Sequence, residues 1–181
     1  TTVGVYLRAL RAIFNKAIDE KEIERDYYPF GKRKYQVPAP GKVKKALSRE
    51  ELKILFGSAP QTEYQQKARD FWFLSYALSG INKKDLVLLR NKDIQDGKVE
   101  FFRAKTRMTG KSNLKPVTAY LNDFSSKIIE KYRDKNASPE NLVFDIISDK
   151  QTPIEQHSGI KNFIRFINQH IKKLCKANGL S

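Results

Sequence analysis

The chain is poor in the residues that metal and thiol chemistry need. Its 181 residues include one cysteine, Cys175, and two histidines, His157 and His170. A lone thiol cannot staple a fold, which fits a reducing, cytoplasmic setting. Cys175 lies in an amphipathic stretch without a nearby histidine or acid, so it reads as core filler. Neither histidine has metal-ligand spacing to another histidine or to the cysteine, which excludes a zinc site. There is no GxxxxGK[ST] loop, hence no P-loop. The acids of "KDI" (92–94) and "FDII" (144–147) read as core edges and not as a two-metal pair. No metal and no cofactor are expected. No apolar run is long enough to span a membrane, and no low-complexity tract or internal repeat occurs. The start, "TTVGVYLRAL", has neither signal-peptide architecture nor an initiator methionine, so a beginning inside a longer protein is expected.

Acidic residues are also scarce. Lys and Arg number 35 against 20 Asp and Glu, a formal charge of +15, with a pI near 9.8. An excess this large calls for an anionic partner. With 40% hydrophobic and 30% charged residues, the chain can still build a core.

Along the chain, Val3, Leu7, Leu10, Phe14 and Ala17 or Ile18 recur at helical spacing and predict an amphipathic helix from about Thr2 to Glu22. "RDYYPFGKRKYQVPAPGKVKKA" follows, broken by Pro29, Pro38, Pro40, Gly31 and Gly41. Its cations, among them Lys42, Lys44 and Lys45, interleave with Tyr27, Tyr28 and Tyr35. That composition suits a strand lying along a phosphate backbone, and equally a solvated linker. At "ALSREEL" a domain begins: Ser48 and Glu51 form a capping box, with Leu47 and Leu52 as its staple. Gln65–Leu78 predicts a largely apolar, central helix that Gly80 ends. Asn82 then caps a short helix with Asp85 at N3. Asp96-Gly97 marks a turn, followed by a strand over Val99–Ala104 and a second over Lys115–Leu121, with Lys92–Ile94 as a third. Between the two main strands runs a basic loop with Lys105, Arg107 and Lys111. Two more helices are expected, one over "DFSSKIIEKYRDK" and one from about Glu155. The fold class is mainly α with a small antiparallel sheet.

A lysine on the tip of a two-stranded ribbon can reach into a nucleic-acid groove and protonate a leaving alkoxide. Taken together, the basic linker, the "ALSREEL" helix, the corner "SGINKKDLVLLRNKDI" and the hairpin with "RAKT" resemble the tyrosine recombinase (phage-type integrase) family, in particular integrases of Bacteroidetes mobile elements. The resemblance implies residues 1–24 as the last helix of a core-binding domain, 25–45 as a basic linker, and 46–181 as the first part of the catalytic domain, incomplete at its C-terminus. It implies double-stranded DNA as substrate, a 3′-phosphotyrosyl intermediate, no cofactor, and assembly of the parent as a tetramer on DNA. Lys105 of "RAKT" matches the family's general-acid lysine. DNA contacts are then expected from Lys42, Lys44, Lys45, Lys83, Lys84, Arg107 and Lys111.

Two departures stand out. Where many members read Gly-Leu-Arg, this chain reads Gly80-Ile81-Asn82, so the first catalytic arginine is replaced by an amide that donates without charge. Lys83 or Lys84 could supply the missing charge. The family's H-x-x-R motif and nucleophilic tyrosine have no match: "HIKK" (170–173) lies mid-helix, and Tyr76, Tyr120 and Tyr132 read as core or semi-core. A fragment that binds DNA without cutting it, and that self-associates through exposed apolar surface, is the expectation. A non-catalytic architectural or regulatory DNA-binding module and an RNA-binding protein are the alternatives.

Overall fold

The computed structural model describes residues 2–38, 46–107, 115–134 and 138–180, with the backbone alone for 106 and 107. The chain divides into two units, Thr1–Ala46 and Leu47–Ser181. In the first, α1 spans Thr2–Asp19. It stops short of the expected Glu22 because Lys21 turns into the left-handed region (φ 61°) while the Glu22 N–H bonds back to the Ala17 carbonyl. Residues 25–35 behind it are less open than their composition predicts. A 3₁₀ turn covers Arg25–Tyr27, and Phe14, Tyr28, Phe30 and Tyr35 form an edge-to-face ring cluster with Phe30 buried. The Arg11 guanidinium donates to the Tyr28 hydroxyl (3.0 Å). Tyr28 is therefore committed to packing, whereas Tyr27 stays exposed.

The second unit is mainly helical with a small three-stranded antiparallel sheet. Helix α2 (Arg49–Gly57) starts at the capping box read from the sequence: the Glu51 N–H donates to Ser48 Oγ, and the Ser48 N–H donates to Glu51 Oε2. The central helix is α3 (Glu63–Ala77), packed on α6 (Asp123–Tyr132) and α7 (Pro153–Ala177). Phe71 lies at its heart, edge-on to Phe144 and Phe163. One polar node sits beside this core: buried Asp70 accepts from Gln66, Lys131 and the Tyr132 hydroxyl. Burial, with the Asp70 carboxylate close by, pushes the Tyr132 phenol well above its ordinary range.

The sheet runs β1 (Ile94–Gln95), β2 (Lys98–Phe101), β3 (Val117–Tyr120) in that order. Asp96 and Gly97 both have positive φ, as a tight Asp-Gly hairpin requires. Val99 pairs with Ala119, and both are buried. The third strand lies slightly later than Lys92–Ile94, since Asn91–Asp93 forms a 3₁₀ turn. Two tyrosines correct the sequence reading. Tyr120 points out from the edge of β3, and Tyr76 lies on the solvent side of α3, stacked on Trp72; both are exposed.

Candidate nucleic-acid interface

The corner after α3 is built by backbone geometry. Ser79 and Gly80 both have positive φ (57° and 77°), and the Gly80 N–H reaches back to the Ser75 carbonyl (2.9 Å). The buried Ser75 hydroxyl donates to the Ile81 carbonyl (2.6 Å), which fixes the exit direction of the chain. Ile81 is buried, and Asn82 begins the five-residue helix α4 (Lys83–Val87). This short helix packs on α7 through its buried side, where Leu86 and Val87 are fully covered.

Asn82 is exposed, and its Oδ1 accepts from the Lys84 N–H (2.9 Å). Asn82 therefore works as a helix cap. The expected partnership with Asp85 differs. Asp85 does not complete a box with Asn82; it is buried, and its carboxylate accepts the N–H of Ala104 (2.8 Å), nineteen residues on. That bond explains a second correction. The alternation through Arg103 and Ala104 predicts a strand, but β2 ends at Phe101 and the chain curls into a helical turn, α5 (Ala104–Arg107). The Asp85 carboxylate satisfies an otherwise orphan N–H at the start of that turn. Sequence reading missed Asp85 in this role because a bond between distant residues leaves no local pattern.

The consequence is a joined pair of cationic segments. The Asp85–Ala104 bond ties the helix that opens with Lys83 and Lys84 to the turn that carries Lys105. Lys84 and Lys105 are exposed. Lys83 is half-buried, and burial pulls its ammonium below the ordinary lysine range. Nearby cations are otherwise engaged: Arg90 forms a two-pronged bond to Asp149 (2.9 Å each) and also meets the Glu140 carbonyl, and Lys92 pairs with Glu140 (2.7 Å). The hydrogen bond to Asp149 raises the Arg90 pKa and occupies its guanidinium. Arg107 lies in α5, while Lys42, Lys44, Lys45 and Lys111 fall outside the described residues. His170, of "HIKK", lies within α7 with its ring tilted against Phe166 and Tyr64. Among the described residues no group of histidine, cysteine or acid side chains is placed to hold a metal ion, and no helix is long and apolar enough to cross a membrane. No family model, curated protein or solved structure matches the chain.

Proposed function

We propose that the chain is part of a tyrosine-type DNA recombinase, in which the corner and the α5 turn form the phosphate-facing half of a strand-transfer site. The observation that carries the reading is the Asp85–Ala104 bond, which joins the Lys83–Lys84 corner to the Lys105 turn. In such a site two or more cations would offset charge on the phosphoryl oxygens. Lys105 would hand a proton to the departing 5′-oxygen. Lys83 and Lys84 would stand in for the arginine that Asn82 replaces, and the excess of +15 would draw the duplex in. Nucleophile and second arginine would come from outside these 181 residues, so this chain would bind duplex DNA and not cleave it.

The use of Asn82 Oδ1 as a cap favours a second reading, an architectural DNA-binding module with no strand-transfer chemistry. The source reading frame beyond Ser181 decides between them. An H-x-x-R motif followed by a tyrosine within the next domain half supports the recombinase. A frame that closes at Ser181 overturns it and leaves the module.

A further inference from the structure

The solvent face of α7 carries Lys161, Arg165, Lys172 and Lys176, with Asn168 and Gln169 between the two pairs. All six are exposed. At about 3.6 residues per turn the four cations fall within roughly 60° of one another around the helix. Ile160, Phe163, Ile167, Ile171 and Leu174 bury the opposite side. The row from Lys161 to Lys176 is about 22 Å long at a rise of about 1.5 Å per residue. The charge on it is not neutralised. Past Glu155, which is bound into the N-terminal capping box with Thr152, α7 holds no acid. None of the four cations pairs with an acid among the described residues, although ion pairs do form elsewhere in this unit.

A solvated helix face ordinarily mixes the two signs, because acid–base pairs four residues apart support the helix and like pairs oppose it. Here Lys161 and Arg165, and again Lys172 and Lys176, are like pairs at that spacing. The helix dipole favours Lys176 in the last turn; it gives no reason for Lys161, Arg165 and Lys172. A straight cationic row with amide donors between its charges matches a linear polyanion. Duplex DNA presents one negative charge per about 1.7 Å of axis, so such a row faces the phosphates of about six base pairs. Asn168 and Gln169 can donate to phosphate oxygens between the cations.

We propose that the outer face of α7 is a second docking surface for the duplex DNA backbone, made of residues separate from the corner and the α5 turn. The inference rests on the DNA-binding reading above. The test is fluorescence anisotropy of a random-sequence 20-base-pair duplex, titrated with the protein across a salt series. In the variant Lys161→Gln, Arg165→Gln, Lys172→Gln, Lys176→Gln, binding is expected to weaken at least tenfold, and the slope of log K against log salt to fall by about 3.6, near 0.9 per lost phosphate contact. Replacing Lys161, Lys172 and Lys176 by arginine should preserve both affinity and slope. Should the fourfold variant fail to fold, Lys161→Gln with Arg165→Gln must still lower the slope by more than 1. Wild-type binding with an unchanged slope in the variants overturns the α7 surface alone. No binding by the wild-type chain overturns the DNA-binding reading and this surface with it.

Discussion

At the scale of single residues, Asn82 holds two possible jobs and the geometry commits its oxygen to one of them. The cap to the Lys84 N–H stabilises α4, and losing it costs about 1 kcal/mol. Asn82→Arg is expected to lose that cap while gaining charge at the corner. Chemical denaturation should show destabilisation of about 1 kcal/mol, and duplex affinity should rise. Weaker binding by the arginine variant would mean that position 82 does not face phosphate. Lys83 gives a pH signature. Burial lowers its pKa, so the free protein sheds this proton below the ordinary lysine range. DNA affinity should therefore begin to fall, as pH rises, earlier than surface lysines alone would allow. Lys83→Arg, which stays charged, should remove the early part of the fall. The unfolded chain binds more protons in the same window, so stability rises with pH there, opposite to affinity. Affinity flat up to the ordinary lysine range would exclude Lys83 from the contact.

At the scale of elements, α7 crosses the 145–147 segment without room to spare. A methyl group on Gly159 would lie 2.9 Å from Ile147 Cγ2. Gly→Ala in a helix normally gains about 1 kcal/mol, but overpacking costs about 1–3 kcal/mol. Gly159→Ala is therefore expected to destabilise by about 1 kcal/mol in urea unfolding; a stabilised variant would show that the Ile147 side chain gives way easily. What the sequence made legible follows the same local logic. The Ser48–Glu51 box, the Asp96-Gly97 hairpin and the apolar stripe of α7 depend on neighbours within a few residues, and each was readable. The Asp85–Ala104 bond, the α5 turn it permits and the early end of β2 depend on partners far along the chain, where periodicity carries no signal. The outward faces of Tyr76 and Tyr120 were missed for a related reason: an apolar-rich helix and a short edge strand do not reveal which residues the neighbours leave uncovered. Of the candidate site, the corner lysines and Lys105 were legible as charges. That a buried carboxylate links them was not.

At the scale of the whole molecule, charge and exposed apolar surface set the behaviour. Phe56 and Tyr76 border an apolar groove of 440 Å³ with Leu52, Phe73 and Phe124, and Val3, Tyr6 and Ile13 are exposed on α1. Surface of this kind drives association. Light scattering should give a mass that rises above 20.9 kDa with protein concentration, whereas a monomer throughout would show these faces to be inert. The central claim, that this chain grips the backbone of duplex DNA, is tested most directly by the salt dependence of duplex affinity. The expected result is binding at low salt to duplexes of unrelated sequence, with log K falling linearly and steeply as log salt rises. Affinity that barely changes between low and moderate salt would contradict it.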